Sequence, residues 1–409
     1  MHIRLLAFGS RGDVQPYVAL GLGLQAAGYD VALAAAANFQ GFIEEYGLKC
    51  LPMTTDIQEV IQSTQQGKSG SARQAKWIFL QMMMDETLRL AEGADALIYA
   101  PAAIFTAPHV LEKLGIPGIA TMLQPFLHAM DEMPAVGTPT WNLGTAYNRF
   151  TYSFVEWMTW TFTKGRINDW RKAKLGLPPA TQSPYAMVRA QGMPTLYGFS
   201  PAVLPKPADW PANAHVTGYW FLPPVTGWQP PAALEAFLAA GDAPVYVGFG
   251  SMASRDPEQT AAIVLEAIQQ AGVRAVIASG WGGLAASDVP ETVHLIEGAP
   301  HEWLFPRMSA VVHHGGAGTT AAGLRAGVPT VIVPFKSDQP FWGKRVWQLG
   351  VGTEPIPRRT LTAEALAAAL RATQTDSDMR EKAAAMGEAI RAEDGIGSAV
   401  RVIGAALGS

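Results

Sequence analysis

The hydrophobic pattern of the chain repeats one unit, a short apolar run followed by a turn and a longer amphipathic stretch. In the first half the apolar runs fall at residues 3–8, 30–36, 48–52, 96–99 and 118–122. In the second half they fall at residues 244–251, 274–278, 293–296, 309–312 and 327–335. Strand-length runs separated by helical stretches predict parallel strands with helical crossovers. The predicted fold class is therefore α/β, with a doubly wound, Rossmann-like sheet in each half.

A proline-dense stretch separates the two halves. Eight prolines lie between residues 200 and 231, a density typical of a linker between domains. A length of 409 residues also fits two domains of about 200 residues each. We therefore predict an N-terminal domain at 1–222 and a C-terminal domain at 223–409, whose last helix is able to cross back to the first domain. The loops at the carboxyl ends of both sheets should line a cleft between the domains.

Charge and cysteine content narrow the class of protein. The net charge of −4 argues against a nucleic-acid surface. The single cysteine, Cys50, excludes an internal disulfide framework and fits a reducing compartment. The N-terminal run lacks the features of a signal peptide, and no apolar run reaches the about 18 residues of a spanning helix. These features predict a cytoplasmic protein without nucleic-acid partners.

Residues 309–320 combine three features of an anion site. The apolar run 309–312 predicts a buried strand, a glycine-rich turn with His313 and His314 follows it, and Thr319 and Thr320 open a helical stretch. The N–H groups and the dipole of a helix N-terminus favour negative charge, and glycines let a phosphate approach the backbone closely. The alternative is a tight strand-to-helix turn that binds nothing.

Other polar loops are predicted at the same sheet edges. The turn at 9–16 carries Asp13, which is either a general base or a helix cap, and Arg11, which is either a ligand-binding residue or a solvated charge. Asp338 and Gln339 combine acceptor and donor groups, which suits sugar hydroxyls. Together these loops suit a nucleotide sugar as donor. The predicted donor-binding residues are Ser10, Arg11, Ser251, Trp281, Ala299, His301, His313, Gly316, Gly318, Thr319, Asp338 and Gln339.

Aromatic residues concentrate in the segment 130–195, where Phe150, Phe154 and Trp157 fall at helical spacing. Three explanations stay open: ordinary helix packing, a pocket wall for a flat apolar ligand, and weak peripheral contact with the inner face of a membrane. The pocket explanation predicts a lipophilic small-molecule acceptor. The acceptor-binding residues that it predicts are Met83, Phe126, His128, Phe150, Phe154 and Trp157.

The sequence indicates neither a metal site nor a hydrolase site. His313 and His314 are adjacent and cannot easily share one ion, and Asp376-Ser377-Asp378 lies between two late helices, where it caps a helix. The sequence contains no Ser-His-Asp elbow, dinucleotide fingerprint or Walker loop. A helix dipole, histidine and backbone N–H groups can instead stabilise a leaving diphosphate. We expect no metal and no tightly bound cofactor.

Three stretches together resemble the family 1 GT-B glycosyltransferases. They are Gly9-Ser10-Arg11-Gly12-Asp13-Val14-Gln15-Pro16, His313-His314-Gly315-Gly316-Ala317-Gly318-Thr319-Thr320 and Asp338-Gln339-Pro340-Phe341-Trp342-Gly343. The chain resembles in particular the bacterial enzymes of the sterol 3-beta-glucosyltransferase type and, as a related set, the vancomycin-group antibiotic glycosyltransferases. The resemblance covers nearly the whole chain. It implies a GT-B fold whose first domain binds the acceptor and whose second domain binds the donor.

The resemblance also implies an inverting transfer without metal. The acceptor hydroxyl would attack the anomeric carbon and give its proton to Asp13. The nucleoside diphosphate would leave toward Ser251, His313 and the helix that follows Gly318. The Asp-Gln pair at 338–339 would hold the sugar hydroxyls.

Two departures from plant relatives leave the nucleotide open. The resemblance places Trp281, Ala299 and His301 around the base, but no tryptophan near Gly298 matches the residue that stacks on uracil in plant relatives. Ala321 stands where those relatives carry a ribose-binding glutamate. UDP is therefore the expected nucleotide, and dTDP stays an alternative.

We therefore expect an inverting transfer of a hexose from a nucleotide diphosphate sugar, with glucose as the expected hexose. The acceptor would be a hydroxyl of a lipophilic molecule such as a sterol or a polyphenol or polyketide aglycone. Two alternatives are a nucleotide-sugar epimerase on the same fold and a non-catalytic nucleotide-sugar-binding activator. The activator would have no need of the carboxylates at positions 13 and 338, and both are present in their motifs.

Overall fold

A computed structural model describes residues 1–54, 72–224, 227–249, 257–278 and 289–408. Ser251 and Trp281 lie outside these ranges, as do most of residues 62–72, whose Gln, Ser and Gly content predicts an exposed loop. The chain divides into two compact units. Unit 1 comprises Met1–Pro201, Pro205–Leu222 and Asp394–Ser409, and unit 2 comprises Ala202–Leu204 and Pro223–Glu393.

The sheet of unit 1 is parallel throughout. Its seven described strands lie in the order β3-β2-β1-β4-β5-β6-β7. The strands are β1 (His2–Leu6), β2 (Asp30–Ala36), β3 (Lys49–Met53), β4 (Ala96–Tyr99), β5 (Gly118–Met122), β6 (Thr195–Tyr197) and β7 (Ala214–Val216). The helices between them are α1 (Arg11–Ala26), α2 (Gln40–Glu45), α3 (Ala72–Ala91), α4 (Ala107–Leu114), α5 (Gly144–Trp170) and α6 (Pro184–Ala190).

The sheet of unit 2 is also parallel, and its five described strands lie in the order β10-β9-β8-β11-β12. They are β8 (Val245–Gly248), β9 (Ala275–Ala278), β10 (Val293–Ile296), β11 (Ala310–His313) and β12 (Thr330–Ile332). The helices are α7 (Ala232–Ala239), α8 (Pro257–Ala271), α9 (His301–Leu304), α10 (Ala317–Ala326), α11 (Gln339–Gln348), α12 (Ala363–Thr375) and α13 (Ser377–Arg391). The last helix, α14 (Gly395–Leu407), buries Ala399 and Ile403 in the core of unit 1. The α/β prediction is confirmed.

Each sheet has one topological switch point, where consecutive strands diverge to opposite sides. In unit 1 it lies between β1 and β4, and in unit 2 between β8 and β11. Open α/β sheets bind ligands in the crevice at the carboxyl ends of the strands beside this point. The loop with Asp13 follows β1, and the turn with His313 ends β11. Both sequence-predicted centres therefore lie at a switch point of their own sheet.

Three predicted boundaries are wrong, each for a local reason. The turn predicted at 9–16 would place the start of the helix at Tyr17. Helix α1 begins at Arg11 instead, because Ser10 occupies its N-cap and the turn is shorter than predicted. Helix α10 begins at Ala317, so its first turn includes Gly318. The sequence also predicts one strand over residues 215–221, but β7 ends at Val216, since Gly218 has a φ of +101° that an extended strand does not accept.

Candidate active site

Asp13 is the third residue of α1, and its carboxylate folds back over the turn that precedes the helix. Its Oδ2 accepts hydrogen bonds from the backbone N–H and from the Oγ of Ser10, both at 2.8 Å. Within the described residues both hydrogen bonds of this carboxylate go to Oδ2, so Oδ1 accepts none from them. Gly9 makes room for the carboxylate. A Cβ at Gly9 would lie 2.4 Å from Oδ2, and the φ of Gly9, +149°, favours glycine.

The environment of Asp13 makes it a stronger base than an ordinary aspartate. Burial raises the pKa of Asp13 above its usual 3.8, while the two hydrogen bonds from Ser10 oppose that rise. Desolvation disfavours the charged carboxylate, and the Ser10 donors favour it. Burial is the larger effect, so the carboxylate combines a raised proton affinity with a fixed orientation. Both properties are what a general base requires.

A buried hydrogen-bond chain fixes α1 against the sheet. The Tyr17 hydroxyl lies 2.6 Å from Oγ1 of Thr121 on β5, and Thr121 donates to the carbonyl of Tyr99 on β4 at 2.8 Å. The Tyr17 ring also packs edge-on against Trp220. Tyr17 lies one helical turn after Asp13, so this anchor holds the first turn of α1 in place relative to β4 and β5.

A cavity of about 230 Å³ opens in unit 1 beyond the carboxyl end of β5. Phe126 and His128, two of the predicted acceptor-binding residues, line it together with Tyr152 and Tyr185. The ring nitrogen Nδ1 of His128 lies 2.7 Å from the Tyr197 hydroxyl, and burial lowers the pKa of His128 to about 4, so the ring is neutral. The cavity and Asp13 both follow the carboxyl ends of parallel strands and therefore share one edge of the sheet.

Two groups give this largely aromatic cavity polar character. The hydroxyl of Tyr152 is buried and has no hydrogen-bond partner among the described residues. Glu156 and Arg189 form an ion pair in the cavity wall with an N–O distance of 2.8 Å. The ion pair satisfies its own charges, and the Tyr152 hydroxyl can bond to a ligand without breaking an existing contact.

The structure does not bring the other predicted acceptor residues into this cavity. Met83 is buried inside unit 1. Phe150, Phe154 and Trp157 lie on the outer face of α5, whereas Tyr152 on the same helix lines the cavity. The helical period separates the two sets, since a residue two positions away points to the opposite side of a helix. Phe150 and Trp157 are each 62% exposed, so the prediction of ordinary helix packing for this face is wrong.

His313 occupies the switch point of unit 2. It pairs with Gly248 of β8 and Ile332 of β12, and its side chain is fully buried. Its Nδ1 accepts a hydrogen bond from the backbone N–H of Gly315 at 2.9 Å, so the proton of the neutral ring lies on Nε2. This Nε2 is buried and has no hydrogen-bond partner within the described ranges.

Burial keeps His313 uncharged. It lowers the pKa of His313 well below its usual range, and the nearby rings of His314 and His301 lower it further. The side chain is therefore a neutral N–H donor at physiological pH. A buried donor without a partner costs about 1–3 kcal/mol. Such a donor at a switch point indicates a ligand-binding role.

The turn after His313 is compact because two of its positions are glycine. Gly315 has a φ of +87°, and a Cβ there would lie 2.7 Å from Ile332 and 3.1 Å from the Gln339 carbonyl oxygen. Gly316 is the N-cap of α10 and packs against the His314 ring. No described atom lies within 4 Å of a Cβ built at Gly318, so the first turn of α10 is open to approach. Its N–H groups and the helix dipole favour an anion there.

Asp338 and Gln339 lie at the start of α11, and part of their hydrogen-bonding capacity is used within the protein. Oε1 of Gln339 accepts the backbone N–H groups of Phe335 at 2.7 Å and Lys336 at 3.0 Å. Oδ2 of Asp338 accepts from Nε1 of Trp342 at 3.1 Å. These bonds fix both side chains. The residue before them, Ser337, has a φ of +61°, a conformation that few residues other than glycine adopt.

The remaining predicted donor residues occupy different places. Ala299 and His301 flank the start of α9, where the His301 ring stacks on Phe305 at a centroid distance of 4.2 Å. The Arg11 guanidinium stacks on Phe42 of α2 at 4.8 Å and its Nε bonds to Gln15 at 3.2 Å. Arg11 is therefore held toward α2 and not toward the Asp13 carboxylate.

The sequence reasoning missed three contributors. The first is Gly9, which makes room for the Asp13 carboxylate. Its place between a strand and an N-cap serine could have indicated this role. The second is Tyr17, which anchors α1 to the sheet. Its signal in the sequence is weak, because it consists only of a tyrosine one helical turn after a candidate base. Tyr152 lies on an aromatic helix and gives no signal in the sequence. Within the described part of the chain, no three His, Cys, Asp or Glu side chains are grouped as metal ligands.

Comparisons with known proteins match this arrangement. Residues 3–129 match the family model of the glycosyltransferase family 28 N-terminal domain, and residues 262–396 match that of the erythromycin biosynthesis protein CIII-like C-terminal domain. The glycosyltransferase of kitacinnamycin has a similar structure, with a TM-score of 0.73 and 20% identity over 99% of this chain and 98% of that one. The glycosyltransferase SsfS6 of Streptomyces sp. SF2575, solved with thymidine diphosphate, gives a TM-score of 0.63 and 22% identity over 98% and 99%. The fold is that of the GT-B glycosyltransferases, as the sequence motifs implied.

The sequence relatives are more specific. The sterol 3-beta-glucosyltransferase UGT80B1 of Arabidopsis thaliana is 37% identical over 98% of this chain and 67% of its own length. The chain belongs to the glycosyltransferase family that contains the sterol 3-beta-glucosyltransferases. Fungal members are longer, and the chain spans 30% of the sterol 3-beta-glucosyltransferase of Emericella nidulans, to which it is 36% identical.

Proposed function

We propose that the protein is an inverting glycosyltransferase that moves a hexose, glucose first, from UDP to a hydroxyl group of a lipophilic acceptor such as a sterol or a polyphenol or polyketide aglycone. The observation that carries this proposal is the chemistry at the two switch points. One holds a desolvated, oriented carboxylate, Asp13, and the other holds a buried and unpartnered N–H donor on His313. Family membership supports the same reaction class.

The proposed reaction is a single displacement. The acceptor oxygen forms a bond to the anomeric carbon while the bond from that carbon to the diphosphate oxygen breaks, and the electron pair leaves with the nucleoside diphosphate. The proton of the acceptor hydroxyl passes to Oδ1 of Asp13, because Oδ2 already accepts both Ser10 donors. One displacement inverts the configuration at the anomeric carbon.

Unit 2 would stabilise the leaving group. Nε2–H of His313 donates to a diphosphate oxygen, and the open first turn of α10, at Gly318 and Thr319, supplies N–H groups and a favourable dipole. Asp338 and Gln339, whose side chains are fixed by internal bonds, would hold the sugar hydroxyls. Because protein donors carry the leaving charge in this proposal, we expect excess EDTA to leave the transfer rate unchanged.

The cavity beyond β5 would take part of the acceptor. Its volume, about 230 Å³, is below the roughly 300–1,000 Å³ of sites that enclose a drug-sized ligand, so an acceptor would extend beyond it. Phe126 and Tyr185 offer apolar faces, and the unpartnered Tyr152 hydroxyl offers one hydrogen bond. This combination suits a ring system with a single polar group.

Transfer assays test the proposal. UDP-glucose and dTDP-glucose are each incubated with the purified chain and a panel of sterols, flavonoids and macrolides, with and without EDTA, and products are identified by mass spectrometry. We expect a glucoside with at least one acceptor, with UDP-glucose preferred. Sugar isomerisation without acceptor would favour an epimerase, and the absence of turnover with every donor and acceptor would contradict an enzymatic role.

The hydrogen bonds of Ser10 predict a pH effect. The transfer rate should fall as the pH decreases through the pKa of Asp13, because only the carboxylate accepts a proton, and this midpoint should lie above 3.8. Ser10→Ala removes one bond that stabilises the carboxylate and should move the midpoint to higher pH. The check is a profile of kcat/KM against pH for both proteins. The fall in rate at low pH is the acid limb of this profile. A midpoint of that limb that stays fixed or moves to lower pH in the variant would contradict its assignment to Asp13.

A further inference from the structure

Helix α5 carries a row of aromatic side chains that face solvent. Phe150, Trp157 and Phe162 are 62%, 62% and 63% exposed, and Phe154 and Met158 lie between them on the same side. Neighbouring rings touch, with centroid distances of 5.8 Å between Phe150 and Phe154 and 6.0 Å between Phe154 and Trp157. The row lies on a single helix of 27 residues, about 40 Å long. We call these five residues the aromatic face.

This concentration is unusual for a soluble surface. The segment just before α5 adds Trp141 and Leu143, which are also exposed, and the Trp141 ring stacks on Tyr147 of α5. Scattered exposed apolar residues are normal, but a contiguous apolar patch indicates a surface that something covers. By contrast, Trp347 is the only exposed large apolar side chain among the described residues of unit 2.

The charged residues next to the aromatic face indicate the kind of surface that covers it. Lys164, Arg166, Lys172 and Lys174 are exposed at the C-terminal end of α5 and just beyond it, with Asp169 as the exposed acid among them. The chain as a whole carries a net charge of −4, so this basic cluster is a local feature. A helix with one aromatic face, continued by lysines and arginine, fits the interface of an anionic bilayer.

The chemistry of the side chains agrees with that partner. Trp rings favour the region between headgroups and acyl chains, and long basic side chains reach the phosphates while their stems stay in the apolar layer. We propose that the aromatic face of α5 docks the protein on an anionic membrane surface, with the helix lying in the plane of the interface.

This docking is separate from catalysis and does not rest on the proposed function, because its test measures binding. The full chain is sedimented with phosphatidylcholine vesicles that contain or lack phosphatidylglycerol. We expect binding that is stronger with phosphatidylglycerol and weaker at high salt, since screening reduces attraction between exposed charges. Wild-type protein that binds neither vesicle would overturn the proposal.

Two sets of variants locate the surface. F150S/W157S/F162S should lower the vesicle partition coefficient at least tenfold, whereas W347S, a matched exposed aromatic in unit 2, should leave it unchanged. K172E/K174E should weaken binding to phosphatidylglycerol vesicles, and K49E/K113E, which reverses two exposed lysines elsewhere in unit 1, should weaken it less. Thermal melting shows whether each variant is folded, and exposed positions should keep the wild-type Tm within about 2 °C.

The same experiment distinguishes a membrane from a second copy of the chain. If sedimentation velocity shows a wild-type dimer that F150S/W157S/F162S abolishes, and no protein binds vesicles, the face is a self-association surface and the proposal is wrong. Unchanged vesicle binding by the folded triple variant would also overturn it.

Discussion

Replacing Asp13 with Asn is expected to lower kcat about 100-fold or more while leaving the fold intact. General-base catalysis typically contributes about 10²–10⁴-fold, and asparagine cannot accept the proton of the acceptor hydroxyl. Asn keeps a carbonyl oxygen for the two Ser10 donors, so the turn before α1 should keep its conformation. The measurement is the rate of glucoside formation at saturating donor. Loss of the acid limb in the pH profile should accompany the loss of rate.

The same substitution should raise the thermal stability. The folded-state pKa of Asp13 is raised by burial, so the carboxylate form opposes folding at pH values above that pKa, and protonation at lower pH relieves the cost. An asparagine side chain carries no charge at any pH, so D13N should have a higher Tm than wild type near neutral pH. The difference should shrink as the pH falls through the raised pKa. Active sites commonly trade stability for function in this way.

Asp242→Asn is the matched control. Asp242 is an exposed aspartate of unit 2, and its substitution should alter neither turnover nor the pH profile. Normal turnover in the Asp13→Asn protein would remove Asp13 from the proposed role. A large fall in Tm would contradict the expected gain in stability.

Replacing His313 with Ala is expected to lower kcat/KM for the nucleotide sugar about 10- to 100-fold. A hydrogen bond to a charged group contributes about 1.5–3 kcal/mol, and each 1.4 kcal/mol corresponds to about a tenfold change. The affinity for free UDP, measured by calorimetry, should fall as well. Because the His313 ring is neutral, its loss should leave the midpoint of the acid limb unchanged.

Two further variants separate the role of this turn as a hydrogen-bond donor from its role in holding the local structure. His313→Gln keeps an N–H donor near the position of Nε2 and should lose less activity than His313→Ala. His314→Ala should cost less than His313→Ala, because His314 packs beside Gly316 while His313 carries the buried N–H donor. A greater loss in the His314 variant would contradict the assignment of the phosphate ligand to His313.

The positions of Asp13 and His313 at the two switch points could be predicted because their signals in the sequence are local. A strand, a glycine turn and a helix N-terminus follow one another within ten residues, and parallel-sheet topology places such turns at the ligand-binding edge. The start of α1 was misplaced because Gly12 and Pro16 resemble a turn. In the structure the Ser10 N-cap and the Asp13 contact outweigh these weak propensities.

The cavity that we propose for the acceptor could be predicted only in part, because it combines three distant segments. Phe126 and His128 follow a predicted strand, whereas Tyr152 and Tyr185 come from two helices that tertiary packing brings to them. The periodicity of α5 correctly indicated a helix with an aromatic face. Periodicity cannot tell whether such a face is buried, so the exposures of Phe150 and Trp157 were needed to exclude packing in the core.

The anomeric configuration of the product tests the central claim most directly. A glucoside made from UDP-α-D-glucose by the wild-type chain is purified and its anomeric proton is assigned by NMR. A single displacement with Asp13 as base predicts the β-glucoside, and the Asp13→Asn protein should form it at least about 100-fold more slowly. An α-glucoside, or equal rates for the two proteins, would contradict the account.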